Sequence, residues 1–157
     1  MKLPVFQKTQ SLLQLYLFNS TTYCNMGESQ WFQPVVRNRL SRAIVLANFT
    51  ILYGKFYNIN DAYNETASAQ GTKVQSKGAH EWGHCGRESS PSGTEGSFGV
   101  HLEGSGEKIA EIYWSCPYIG SNVLEKRYIK SGYDISIEDF SVPSGALGNG
   151  KITIRED

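Results

Sequence analysis

The most informative stretch is Ile109–Tyr118, I-A-E-I-Y-W-S-C-P-Y. Ala110, Ile112 and Trp114 fall on one side of an extended chain, and Ile109, Glu111 and Tyr113 on the other. That two-residue period predicts a β-strand. Pro117 ends it, because proline has no N–H to give to a ladder. The strand is therefore expected to deliver Tyr113, Trp114 and Tyr118 to the rim of a sheet. Amphipathic rings at a strand end suit a membrane surface or a binding face, and they suit the closed end of a core equally well.

Similar patterns recur along the chain. Trp31–Arg37 and Ala43–Leu52 are strand candidates separated by Asn38–Arg42. The second places Ala43, Val45, Ala47, Phe49 and Ile51 on one face, and Ile44, Leu46 and Leu52 on the other with Asn48 and Thr50. Apolar residues on both faces at its start predict a central, covered strand. Gly54 allows a bend before Tyr57. Asn58–Lys77 reads as a loop with a short strand near Thr72–Gln75, and Gly86–Gly96 as a loop. Ser97–Leu102 alternates strictly, with Phe98, Val100 and Leu102 inward, and Glu103–Glu107 is a turn. Leu124–Ile129, Tyr133–Glu138 and Lys151–Arg155 complete the set, the last two built on Ile135, Ile137, Ile152 and Ile154. No window carries a helical stripe. Short strands between turn signals predict an all-β, single-domain antiparallel β-sandwich.

Composition narrows the function. Lys plus Arg and Asp plus Glu both number 15 in 157 residues, so formal charge is zero. That argues against nucleic acid as a partner and against recruitment by charge to anionic lipid. No apolar run approaches the roughly 20 residues of a membrane-spanning helix. The cysteines are Cys24, Cys85 and Cys116, too sparse for a disulfide framework. A Cys85–Cys116 bridge and two reduced thiols both remain open.

Residues 1–25 differ from the rest and are expected to be an N-terminal extension, disordered or an over-extended gene prediction. Ser11–Phe18 is apolar and preceded by Lys2 and Lys8, as in a signal peptide. Gln14 interrupts it, however, and Ser20–Cys24 is a poor cleavage site. The expectation is synthesis in the cytosol and action at target-cell membranes, with secretion left open. Met26 makes a natural start for a domain over 26–157.

His80-Glu81-Trp82-Gly83-His84 matches the H-E-x-x-H motif of zinc peptidases. Their chemistry needs both histidines on one helical face, with the glutamate as general base. Here Gly78, Gly86, Pro91 and Gly93 flank a segment without helical periodicity. As a strand, His80 and His84 would stand about 13 Å apart, at roughly 3.3 Å per residue. That is too far for one metal, so surface histidines on a strand are expected, with no metal, no cofactor and no catalytic residues. Asn19, Asn48 and Asn64 begin N-glycosylation patterns. No Ser, His and Asp spacing singles out a triad.

Several blocks together resemble the aegerolysin family: Cys85-Gly-Arg87, Gly93-Thr-Glu-Gly-Ser-Phe98, Tyr113-Trp-Ser-Cys-Pro-Tyr118 and Ser144-Gly-Ala-Leu-Gly148. Gln30-Trp31 and Tyr53-Gly-Lys55 match upstream, so the resemblance spans about residues 26–155. It implies a β-sandwich that binds sphingolipid membranes, such as sphingomyelin with cholesterol or ceramide phosphoethanolamine. It also implies a targeting role in a two-part cytolysin whose perforin-like (MACPF) partner makes the pore. The family's lipid-contacting aromatics map onto Trp31, Tyr53, Trp114 and Tyr118, with Tyr113 beside them. Tyr53 and Tyr118 stand where tryptophans are usual. The loop glutamate of fungal members falls at Ser92, with Glu95 the nearest acid. Lys55 is a candidate donor to a head-group phosphate. Two other readings stay open: a zinc metallopeptidase on His80, Glu81 and His84, and a carbohydrate-binding sandwich using the same rim.

Overall fold

The computed structural model describes residues 29–157, the side chains at positions 62 and 63 excepted. The expected extension 1–25 and the start at Met26 lie outside the described residues. The strands are β1 Trp31–Phe32, β2 Val35–Asn38, β3 Ile44–Tyr53, β4 Lys55–Asn58, β5 Asp61–Glu65, β6 Thr72–Val74, β7 Ala79–Glu81, β8 Gly83–Cys85, β9 Thr94–Leu102, β10 Lys108–Cys116, β11 Val123–Ile129, β12 Tyr133–Glu138 and β13 Lys151–Glu156. One layer is a five-stranded sheet in the order β11-β10-β9-β3-β6. The other consists of two four-stranded sheets, β1-β8-β4-β5 and β12-β13-β2-β7.

Those two smaller sheets share one ribbon. Trp31 pairs with Cys85 and Phe32 with His84; beyond a gap, Val35 pairs with Glu81 and Val36 with His80. The register is the same on both sides of the gap. The gap itself is Pro34, which has no N–H to offer, opposite Trp82, whose amide makes a long 3.4 Å bond to the Pro34 carbonyl. By strand parity Trp82 faces the same side as His84 and Phe32, and it is buried in the core. There its ring meets Phe98 and Trp114 of the five-stranded sheet at centroid distances of 5.6 and 5.3 Å. The predicted strand Trp31–Arg37 is thus two strands in two sheets.

Register irregularities decide which residues face inward. Between Ala47 and Thr50 the β3–β9 pairing slips, at Asn48 with its φ of 55°. A bulge of this kind exchanges the two faces of a strand. Ile44 and Leu46 face the core before it, and Phe49 after it, stacked on Phe98 at 5.3 Å. The face that alternation gives to Ala43, Val45, Ala47, Phe49 and Ile51 is therefore broken at Asn48. A second slip lies between Lys108 and Ala110, which is why Ile109 and Ala110 are both fully buried although alternation separates them.

Three further expectations change. Asn58–Lys77 holds β5 as well as β6, and β9 begins at Thr94, which ends the predicted loop early. The sandwich is largely antiparallel, but β13 runs parallel to β2, with Lys151 beside Val35. Phe98, Val100, Leu102, Ile135, Ile152 and Ile154 are buried as alternation predicts.

Trp114 is fully buried and packs over Gly96, where an added Cβ would lie 2.7 Å from the indole and 2.6 Å from the Thr50 carbonyl oxygen. Trp114→Ala should lower unfolding free energy by about 3–5 kcal/mol. Gly96→Ala should lower it by about 1–3 kcal/mol through overpacking. Urea titration checks both, and unchanged midpoints would show that this contact is not part of the core.

Candidate functional site

Strand pairing carries one row of residues across an end of the five-stranded sheet. Tyr53 pairs with Glu95, Glu95 with Ser115, and Ser115 with Val123. Directly paired residues share a face, and this row lies on the face opposite Trp114. Beyond it, the β10–β11 loop presents Tyr118 and Ile119, exposed by 45% and 86%. Leu52 and Tyr53 end β3 at 57% and 52% exposure. The loop after β12 joins them: the Asn122 amide donates to the Val142 carbonyl at 2.8 Å, and its side-chain NH2 donates to the Pro143 carbonyl at 2.8 Å. Val142 is exposed on that loop.

Backbone geometry puts these groups where they are. A slip between Ile51 and Tyr53 turns Tyr53 to the outer face, where continued alternation would have turned it inward. Gly54, at a φ of 101°, then carries the chain from β3 into β4 of the other layer. A Cβ there would sit 2.5 Å from the Cys85 carbonyl oxygen and 2.7 Å from His84 Cε1, so only glycine fits. Gly93, at a φ of 72°, lies against the Cys116 carbonyl. The turn after β3, the loop before β9 and the loop after β10 therefore meet at one end.

Beneath this surface is a polar cluster in a dry setting. Thr94 Oγ1 accepts the Trp114 indole N–H at 2.9 Å and lies 2.6 Å from His84 Nδ1. His84 is fully buried, with Phe56 edge-on at 4.6 Å. Burial, aided by the Arg87 charge, pushes the His84 pKa down from 6.5 to about 3. The imidazole is neutral at physiological pH. The expectation of surface histidines is corrected here: His80 is half-buried, and His84 is a core residue. The H-E-x-x-H motif lies on β7 and β8 rather than on a helix, so it lacks the spacing that a zinc peptidase uses.

The eight candidate residues separate into groups. Tyr53 and Tyr118 are exposed at the end just described. Glu95 lies between Tyr53 and Ser115 and accepts the Tyr113 hydroxyl at 2.5 Å. The Tyr113 ring is covered by the Arg127 guanidinium at 3.4 Å, and burial raises the pKa of its hydroxyl, with help from Glu95. Ser92 is half-buried in the loop before β9, its hydroxyl 2.9 Å from that of Ser90. Trp31 and Lys55 both flank Cys85 on the neighbouring sheet, and Trp31 packs on Tyr57 and Cys85. Trp114 does not belong with them: it has no exposed surface and cannot reach a lipid in this fold. The reason is parity, since Trp114 shares the inward face with Ile112.

Cys85 and Cys116 are free and buried. The Cys116 thiol donates to the Gly145 carbonyl at 3.1 Å, and burial raises its pKa to about 11. Of the two cysteine states left open by the sequence, the structure has the thiols. Sequence reasoning missed Leu52, Ile119, Val123 and Val142. Ile119 had a signal: it is a large apolar residue inside a turn of Pro, Gly and Ser.

Comparison with known proteins agrees with this architecture. The aegerolysin family profile matches residues 29–157. Aegerolysin Aa-Pri1 of Cyclocybe aegerita is 32% identical over 125 residues, covering 76% of this chain and 86% of that protein. The structure of IP-1A from Alcaligenes faecalis superposes with a TM-score of 0.73 at 28% identity, over 83% of this chain and 94% of that one. RahU, solved in complex with a Tris molecule, shares the fold with a TM-score of 0.76 at 21% identity, over 83% and 97%. The fold is the β-sandwich shared with these solved structures. The chain belongs to the aegerolysin family.

Protonating His84 costs more in the folded than in the unfolded protein. Between the folded value of about 3 and the ordinary 6.5, the unfolded state holds more protons, so stability falls as pH falls. Lowering pH from 7 to 5 should remove about 2 kcal/mol through this group. Burial lowers the His80 pKa as well, so the difference between wild type and His84→Gln isolates the effect. The urea midpoint should fall less between the two pH values in His84→Gln than in wild type; equal falls would place the acid sensitivity elsewhere.

Proposed function

We propose that this protein binds sphingolipid-containing membranes through the end formed by the turn after β3 and the loops after β10 and β12. In this reading it is the targeting component of a two-part cytolysin, a binding protein rather than an enzyme, acting at target-cell membranes. Its pore would be made by a perforin-like partner. The observation that carries the reading is Ile119, 86% exposed beside Tyr118, on a loop that Asn122 holds against the Val142 loop. Family membership supports lipid as the ligand.

Magnitudes set the form of binding. Each large apolar side chain buried is worth about 1.5–3 kcal/mol. Leu52, Tyr53, Tyr118 and Ile119 are already partly covered, so burying what remains gives roughly 4–7 kcal/mol, against an association cost of about 4–15 kcal/mol. Apolar contact alone reaches the low end of that cost. With no net charge, general attraction to anionic lipid adds little. Head-group contacts supply the rest, from the Tyr53 and Tyr118 hydroxyls and from Lys55 on the adjacent sheet.

Co-sedimentation with vesicles tests this. Vesicles of sphingomyelin with cholesterol, or of ceramide phosphoethanolamine, should retain the protein, and glycerophospholipid vesicles should not. Ile119→Asp and the double change Tyr53→Ala with Tyr118→Ala should each weaken retention by at least about tenfold without moving the urea midpoint. Retention equal to wild type in both would sink the proposal. Wild type alone should release little entrapped dye, and rapid release would remove the need for a partner.

A further inference from the structure

The end of the sandwich opposite Tyr53 and Tyr118 carries unbalanced positive charge. β3 runs from Ile44 to Tyr53, which sets its two ends roughly 30 Å apart at about 3.3 Å per residue. At the Ile44 end lie Arg37 in β2, Arg39 and Arg42 in the loop that follows, and Lys77 in the turn between β6 and β7. None of these four makes an ion pair among the described residues, whereas seven other Lys and Arg side chains do. Lys126 bonds the Ile135 carbonyl at 2.9 Å. Acids near the cluster are already engaged. Glu103, whose amide bonds the Ala43 carbonyl, pairs with Lys73, and Asp134 pairs with Arg155. Glu156 and Asp157, at the end of β13, pair with none of the four. In a chain of zero formal charge, the unmatched cations are thus gathered on one pair of loops.

Those loops are held together, so the cluster is preformed. Asn38 is fully buried. Its side-chain NH2 donates to the Arg42 carbonyl at 2.8 Å and to the Val74 and Gln75 carbonyls at 3.1 Å, and its oxygen accepts the Leu40 amide at 3.0 Å. The Ser76 hydroxyl donates to the Leu40 carbonyl at 2.8 Å, and the Lys77 ammonium to the Arg39 carbonyl. One buried amide therefore ties the loop after β2 to the turn after β6. These bonds use only backbone atoms of Arg39 and Arg42, whose side chains are exposed. A preformed surface pays less ordering entropy when a partner arrives.

We infer that this end docks an acidic protein surface, one that presents Asp or Glu carboxylates. Guanidinium forks take carboxylates two bonds at a time. The bilayer itself is not the ligand. That step rests on the membrane reading above: with Tyr53 and Tyr118 on the lipid, the cluster stands roughly 30 Å away, several times the Debye length of about 8 Å. Nucleic acid fits less well, because none of the large exposed aromatic or aliphatic side chains lies in the cluster for a base to stack on. The N-terminal segment does not supply the counter-charge either, since residues 1–28 hold Lys2, Lys8 and a single acid, Glu28. On a membrane-bound molecule the cluster faces solution, where exposed charges chiefly speed and orient encounter.

The probe is a short glutamate homopeptide, with a glycine–serine peptide and duplex DNA as controls, added to the full chain at low salt and followed by two-dimensional NMR. The glutamate peptide should shift the amides of Arg37, Arg39, Arg42 and Lys77 and leave Tyr53, Tyr118 and Ile119 unmoved. The double change Arg39→Gln with Arg42→Gln should weaken that binding several-fold without moving the urea midpoint. A fluorescent form of the peptide should sediment with protein-coated vesicles of sphingomyelin and cholesterol and not with bare ones. The double variant should still coat those vesicles and recruit less peptide. Absence of shifts, shifts spread equally over the ion-paired lysines, or tighter binding of DNA at equal charge would each overturn the assignment. Self-association of wild type that the double variant loses would give the cluster to a second copy, and would overturn it too. Coated vesicles that recruit no peptide would refute the outward placement. If the protein fails to coat vesicles at all, the membrane reading falls, and the NMR shifts alone decide whether the cluster takes an acidic peptide.

Discussion

One ring lies at the centre of the aromatic core shared by the two layers. Trp82 contacts Phe32, Phe49, Phe56, Phe98 and Trp114, with centroids between 5.3 Å for Trp114 and 5.7 Å for Phe32. Phe32 and Phe56 come from the split layer, and Phe49, Phe98 and Trp114 from the five-stranded sheet. Aromatic pairs add about 0.5–1.5 kcal/mol each beyond their burial, so losing this ring would loosen several contacts together. The ladder thins beside it, where Pro34 stands opposite Trp82. The interruption costs little, because the opposite residue, Pro34, has no N–H to lose. The split layer marks that proline, and strand parity points the indole inward on the same side as His84 and Phe32.

The exposed end depends on slips in register more than on strand alternation. Without the slip after Ile51, Tyr53 would point toward Trp114 rather than alongside Glu95. Without Gly54, the turn could not lie on the Cys85 carbonyl. Bulges commonly re-aim side chains at functional edges, and here one converts a core-facing tyrosine into a surface one. The Ser144–Gly148 segment works in the same direction. Leu147 is buried in the core, and the Leu147 amide bonds the Trp31 carbonyl at 2.9 Å. The Cys116 thiol meets Gly145 in that same segment, so the end of β10 and the start of β1 are fastened through one loop.

Much of this is legible in the chain. Strand positions and the inward faces of β9, β10 and β13 follow from period-two alternation. The motif blocks point to the family by their residues and order alone. Glycines and a proline around His80–His84 weaken the helix that a zinc site needs. What alternation cannot show is where it fails. Asn48 is only a weak marker of a bulge, as a residue type that adopts positive φ more readily than most, and its exchange of faces turns Phe49 to the side opposite the one that spacing gives. Motif correspondence groups Trp114 with the surface aromatics, although its spacing from Ala110 and Ile112 points inward. Spacing reports the local geometry more faithfully than correspondence does. His84 reads as a surface residue because a histidine in a polar-looking run suggests exposure, and its Thr94 partner is ten residues away in a different strand.

His84 links the core to the exposed end. Thr94 Oγ1 receives the Trp114 indole, since that nitrogen can only donate. The same oxygen faces His84 Nδ1 at 2.6 Å, and His84 Nε2 has no partner among the described residues. A neutral ring tolerates that arrangement. A protonated ring would hold a buried positive charge with one N–H unanswered, and burying an unpaired charge is strongly unfavourable. The ring also forms the floor on which Gly54 rests, so close that a Cβ added to the glycine would lie 2.7 Å from His84 Cε1. The turn that aims Tyr53 outward is thus seated on a group that must stay neutral and fixed. The aim of the surface tyrosine and the dryness of the core beneath it are one constraint, imposed through a single imidazole.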